Sequence, residues 1–168
     1  MKTKAAVLRD VGKDWEVIEM DLDPPKAGEV LVRFVASGLC HSDNHLQTGD
    51  IPVRYPIVGG HEGAGIVEEV GAGVTRLKPG DHIVCSFLPA CGHCRFCARG
   101  QTNLCDLGAL FGGGNPFDDI PLMLDLYRAG RLKLDELITT RYRLEDVNQG
   151  YQDLLEGKNV RGVLIHDH

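Results

Sequence analysis

Residues 91–105 read CGHCRFCARGQTNLC, setting Cys91, Cys94, Cys97 and Cys105 at the spacing C-x2-C-x2-C-x7-C. Four thiolates in a tetrahedron satisfy Zn2+ with no open position, and two-residue gaps let successive sulfurs turn inward onto one ion. Gly92, His93, Arg95, Ala98 and Gly100 suit a loop wrapped around a metal rather than around an apolar core. Two other readings compete. Disulfides are rare in a reducing compartment, and an iron-sulfur cluster uses similar cysteine runs. Structural zinc is the reading that the rest of the chain favours.

The 168 residues suffice for one domain with a sizeable core. A content of 43% hydrophobic and 25% charged residues is that of a soluble globular chain. The net charge of -6, without a Lys/Arg cluster, argues against nucleic acid or a membrane surface as partner. No stretch approaches the roughly 20 apolar residues of a membrane span. The start, MKTKAAVLRD, has no long apolar run, so a cytoplasmic location with reduced or metal-bound cysteines is expected.

Outward from the cysteine loop, short β-prone runs punctuated by Gly and Pro predict strands over 4–9, 15–21, 29–36, 66–70 and 82–86, with 29–36 alternating around one wet face. Such a series suggests a small barrel or sandwich. After Cys105 the pattern changes. Residues 111–115, FGGGN, read as a flexible connection. A helix capped at Asp118 or Asp119 is expected to run to Gly130, and a second over 145–156 to carry Val147, Tyr151, Leu154 and Leu155 on one face. Residues 160–165 close the chain as a strand.

A dinucleotide fold announces itself by G-x-G-x-x-G between a strand and a helix. Gly71-Ala72-Gly73 is followed by Arg76 where the third glycine belongs, and Gly112 to Gly114 by Pro116 and Phe117; both read as turns. Residues 38–50 hold Cys40, His41, Ser42, Asp43 and His45, a density of polar, metal-capable side chains that no core tolerates without purpose. Cys40 and His61, 21 positions apart in glycine-flanked loops, are each good zinc ligands. Taken alone, such a pair is more often a buried thiol and a hydrogen-bonded imidazole. Glu62 beside His61, Asp43 as an orienting carboxylate, and Ser42 and His45 as proton carriers favour a second metal site.

The run GHEGAGIVEEVGAGV over 60–74, together with Cys40-His41-Ser42-Asp43 and the four-cysteine loop, resembles the zinc-containing medium-chain alcohol dehydrogenases, in particular their actinobacterial branch. The resemblance implies a mainly β, GroES-like (chaperonin-10-like) partly open barrel with a few helices and a zinc lobe at 90–106. It implies a catalytic zinc on Cys40 and His61, with Glu62 able to reach it and a structural zinc on Cys91, Cys94, Cys97 and Cys105. Ser42 and His45 match the hydroxyl and imidazole of a proton relay. His41 and Arg161 match contacts to the NAD(H) pyrophosphate, and Phe87 a substrate-pocket position. The family's reaction is alcohol/aldehyde interconversion by zinc-assisted hydride transfer.

Members of this family carry a Rossmann nucleotide-binding domain that this sequence lacks. The whole chain, 1–168, is therefore expected to be a single GroES-like domain, with a part over 1–109 joined directly to a helical part over 110–168. The family's third catalytic zinc ligand, a cysteine of the missing domain, is gone too. Beyond the structural four only Cys40 and Cys85 remain, and Cys85 reads as a buried thiol on its strand. Expected consequences are a persistent structural zinc, a catalytic zinc completed by Glu62, Cys85 or water, and weak or no NAD-dependent activity. Three functions stay open: a domain-deleted alcohol dehydrogenase acting on a small alcohol or aldehyde, a non-catalytic zinc-binding module, and an adventitious zinc Lewis-acid hydrolase. The molecule is expected as a monomer or self-associated through surfaces that the missing domain once covered.

Overall fold

The first strand, β1 (Lys2–Leu8), is exposed at Lys2 and Lys4 and buried at Val7 and Leu8, and pairs antiparallel on one side with β2 (Glu16–Asp21) and on the other with the short β4 (Ile57–Val58). The computed structural model describes residues 1–108 and 114–167. A second, five-stranded sheet has the order β6-β5-β3-β8-β7, made of β3 (Val30–Gly38), β5 (Gly63–Val70), β6 (His82–Val84), β7 (Ile138–Arg143) and β8 (Arg161–Ile165). All its pairs are antiparallel except β7 with β8. The helices are α1 (His41–Thr48), α2 (Pro116–Arg128) and α3 (Val147–Leu155). The architecture is mainly β with few helices; the two sheets do not close into one barrel, and the described residues contain no doubly wound parallel sheet.

Residues Met1–Cys85 and Ile138–His168 form one compact unit, and Ser86–Leu137 a second. The first unit holds all eight strands, α1, α3 and a core of Leu8, Trp15, Leu39, Tyr142, Val147, Tyr151 and Leu164. Trp15 and Tyr151 stack with centroids 5.9 Å apart. The Asn148 side chain accepts from the Trp15 backbone N–H and donates to its carbonyl, so α3 is pinned to the segment ahead of β2. Tyr142 on β7 donates to Asp153 on α3 at 2.8 Å and accepts from Asn159 at 3.1 Å. In the second unit, Asn115 is the residue before α2 and Pro116 opens it, the place where a missing N–H costs least. The Asn115 side chain accepts from Thr102 at 2.6 Å and donates to the Gly100 carbonyl at 2.8 Å, tying the helix start to the cysteine loop.

Several sequence expectations need correction. β3 does not alternate: Phe34 and Val35 are both exposed, because register shifts after Leu31 and Phe34 break the pleat's two-residue period. His41 to His45 lie on helix α1 rather than in an irregular loop, with Cys40 the extended residue just before it. β5 begins at Gly63, three residues earlier than expected. Helix α2 starts at Pro116 instead of at an Asp118 or Asp119 cap; both carboxylates instead accept from Asn115, from its side chain and its backbone N–H respectively. On α3, Val147 and Tyr151 are buried and Leu154 packs on the core, but Leu155 is 55% exposed. β7 was not expected at all. The expected flexible connection at 111–115 and the 109/110 junction fall largely outside the described residues.

Gly71 and Gly73 form the turn after β5. The Gly71 N–H donates to the Glu29 carbonyl, and a Cβ on Gly71 would lie 1.8 Å from the Lys26 carbonyl oxygen. The glycine is there to let two backbone segments touch.

Candidate metal centres

One end of the five-stranded sheet gathers the chain's catalytic candidates. Cys40 follows β3 and is the residue before α1; His61 and Glu62 precede β5, and Arg161 opens β8. Because β3 is antiparallel to both β5 and β8, these three points meet at the same end. The backbone closes the arrangement: Gly38 N–H donates to the Glu62 carbonyl, and Leu39 N–H to the Gly162 carbonyl, both at 3.0 Å.

Ligand atoms of Cys40, His61 and Glu62 all lie within 4.8 Å of one another. Gly60 takes a left-handed backbone, φ +94°, which a side chain rarely adopts. That turn points its N–H at Asp43 Oδ1, 3.1 Å away, and brings His61 into place behind it. His61 Nδ1 faces the same carboxylate, 3.4 Å from Oδ1 and 3.3 Å from Oδ2. Asp43 is 2% exposed. A buried carboxylate on Nδ1 holds the proton there and leaves the Nε2 lone pair facing the ligand cluster. Ser42 Oγ lies between the two ligands, 3.1 Å from Cys40 Sγ and 3.3 Å from His61 Nε2. Thiolate, imidazole and carboxylate on one point is a zinc donor set, with an orienting group behind the imidazole; the residues fit the ion.

Glu62 is shared. Arg161 Nη1 lies 3.0 Å from Glu62 Oε2 and donates to the Leu39 carbonyl at 3.1 Å. Arg161, matched above to a cofactor contact, therefore spends its charge within the site. His41 is exposed, and His45 Nδ1 lies 3.0 Å from Asp50 Oδ2. The partners of Ser42 are Cys40 and His61; it makes no direct hydrogen bond to His45. Cys85 sits just past β6, its N–H on the Gly63 carbonyl, and burial pushes its thiol up. It does not join the cluster of Cys40, His61 and Glu62. Phe87 belongs to the second unit and is 62% exposed.

Two contacts were missed from sequence. Asp50 follows His45 across the tight turn at Gly49, a signal that was available. Tyr151, 6% exposed, has its hydroxyl pushed far up by burial and next by the Asp43 carboxylate, which puts α3 behind the site. Nothing in its spacing pointed there.

The second centre lies in the other unit. The sulfurs of Cys91, Cys94, Cys97 and Cys105 lie within 4.8 Å of one another, and all six cysteines of the chain are free of disulfides. Backbone N–H groups of Cys91, Cys94 and Cys97 point at the sulfurs of Cys105, Cys91 and Cys94, at 3.3, 3.3 and 3.5 Å. Those of Cys97 and Asp106 draw Cys94 down to about 6, whereas desolvation, followed by contact with the other sulfurs, pushes Cys97 up to about 12. The loop supports some thiolate charge but not four together. The four sulfurs could hold one divalent cation, and the spacing suits a tetrahedral ion.

The sequence profile of the alcohol dehydrogenase GroES-like domain matches residues 26–119, which span both clusters. The chain belongs to that family. Among relatives of this GroES-like chain, NDMA-dependent alcohol dehydrogenase of Amycolatopsis methanolica is 62% identical over 117 residues, covering 69% of the chain and 32% of the relative. The chain thus spans about a third of the length of the curated relatives it matches. A thermostable alcohol dehydrogenase of Pyrobaculum aerophilum, solved with cobalt and zinc, is 34% identical with a TM-score of 0.58 over 67% of this chain and 34% of that one. Benzyl alcohol dehydrogenase of Acinetobacter calcoaceticus aligns over 99% of this chain and 100% of that one with a TM-score of 0.89, but at 16% identity it speaks for the fold alone. The GroES-like region of an alcohol dehydrogenase is what sequence and fold jointly support.

Proposed function

We propose that this chain is the zinc-binding catalytic portion of an alcohol dehydrogenase, built to interconvert a small alcohol and its aldehyde, with its nucleotide-binding domain absent between residues 109 and 110. The convergence of Cys40, His61 and Glu62 on one point, with Asp43 behind His61, carries the reading. Zinc bound there would supply Lewis-acid polarisation of an alcohol oxygen. Cys40 and His61 hold the ion, and Glu62 takes the place of the cysteine that the family draws from its nucleotide domain. Asp43 fixes the His61 tautomer. In this reading Ser42 accepts the alcohol proton as its own hydroxyl proton passes through a water to His45, which Asp50 backs and which releases a proton to solvent. Cys91, Cys94, Cys97 and Cys105 hold a structural zinc. With Arg161 engaged by Glu62, His41 is the cofactor-phosphate candidate that stays exposed, and NAD-dependent turnover is weak or nil. The protein works in the cytoplasm.

Zinc content per chain, measured on protein purified without added metal, tests this directly. Two zincs in the wild type and one in Cys40→Ala is the expected result. One zinc in both would leave only the four-cysteine lobe filled and make the chain a non-catalytic zinc module.

A further inference from the structure

Helix α1 presents two imidazoles, His41 and His45, four positions apart. Side chains at that spacing are neighbours on one helix face, and here the ring centroids lie 5.2 Å apart with the planes at 61°. Two imidazoles meeting one ion at metal–nitrogen distances of about 2.0 Å require a separation of this order. His45 Nδ1 is held at 3.0 Å by Asp50 Oδ2, and Asp50 is itself steadied by the Thr48 hydroxyl at 2.5 Å. A carboxylate on Nδ1 keeps the proton there, so Nε2 of His45 carries the free lone pair. His41 is exposed, and the His45 side chain is 42% exposed. Both rings can be reached by a hydrated ion.

We propose that His41 and His45 form a chelating site for a divalent transition metal of the nickel and copper class, separate from the Cys40, His61 and Glu62 cluster. Imidazole nitrogen is the donor that these ions favour, and for a given nitrogen site affinity rises from cobalt through nickel to copper. The two thiolate-bearing clusters suit zinc, whereas a pair of imidazoles completed by water suits an ion content with open positions. Asp50 acts as the orienting carboxylate of a carboxylate–histidine–metal chain. The site rests on the geometry of α1 and the turn that carries Asp50, and stands whether or not the alcohol dehydrogenase reading holds.

Calorimetric titration of the full, zinc-loaded chain with Ni2+, with zinc retention assayed in the same samples, tests the site without the thiol oxidation that copper would cause. One Ni2+ per chain is expected in the wild type and equally in Cys40→Ala. His41→Gln and His45→Gln should each weaken binding ten-fold or more, and Asp50→Asn several-fold. His41 is exposed, so its variant tests the site without disturbing the core. No uptake by the wild type, uptake matched by zinc release, or wild-type affinity in either histidine variant would overturn the proposal.

Discussion

Asp43 is the side chain on which the sheet-end site turns. It is almost fully buried, accepts from the Gly60 N–H and faces His61 Nδ1 through both oxygens. An ionised carboxylate is costly to bury unless it is paired or hydrogen-bonded, and here the imidazole and a backbone N–H supply that. Asp43→Asn keeps the shape but can no longer hold a proton firmly on Nδ1. Groups in this position typically govern metal affinity by about 10- to 100-fold. Competition with a chromophoric chelator should therefore show the sheet-end zinc of Asp43→Asn released at a correspondingly lower chelator concentration, while the four-cysteine zinc is unmoved. Equal release of both zincs in the variant and the wild type would show that His61 needs no such anchor. The candidate ligands were legible as residue types because Cys40, His61 and Glu62 stand in glycine-flanked runs. The tie between Glu62 and Arg161 was not, since 99 residues separate them and only sheet pairing joins them.

At the level of elements, the C-terminal part is held to the sheet by a polar junction. Tyr142 on β7 donates to Asp153 on α3, and this bond, followed by Gln149, holds the Asp153 carboxyl below its ordinary value. A depressed carboxylate contributes stability above its unfolded-state pKa of about 4 and loses that contribution as pH falls through the lower folded-state value. Thermal unfolding followed from pH 6 to pH 3 should show the wild type losing melting temperature more steeply below about pH 4 than Asp153→Asn does, so that the gap between the two narrows in acid. A constant gap would mean that the charge on Asp153 contributes nothing. The same junction shows why β7 escaped sequence reading. Its run ITTRYR buries only Tyr142 and owes its strand to parallel pairing with β8, more than twenty residues on. Helix α1 escaped for a related reason: its buried residues are Asp43 and Asn44 and its first turn lacks a side-chain cap, so neither apolar period nor capping residue announced it. The cysteine loop was legible because its geometry is set by spacing within fifteen residues.

For the whole molecule, the proposed alcohol dehydrogenase chemistry turns on whether the chain can hold a nicotinamide dinucleotide. A dinucleotide binds where a parallel sheet reverses its strand order, with pyrophosphate on a helix N-terminus. The described residues contain one parallel pair, β7 with β8, and the Gly71-Ala72-Gly73 turn is filled by the backbone at Lys26 and Glu29. Arg161, expected from the family resemblance to meet the cofactor phosphates, is engaged by Glu62 and the Leu39 carbonyl. A net charge of -6 adds a mild repulsion toward a dianionic ligand. These features together favour binding no tighter than about 1 mM, roughly -4 kcal/mol. Fluorescence titration with NADH should therefore give a shallow, unsaturated curve. Saturation in the micromolar range would require several kcal/mol more than a lone arginine and an exposed histidine supply. It would mean that the chain builds a nucleotide site without the sheet that normally carries one, and the proposed loss of NAD-dependent activity would fall with it.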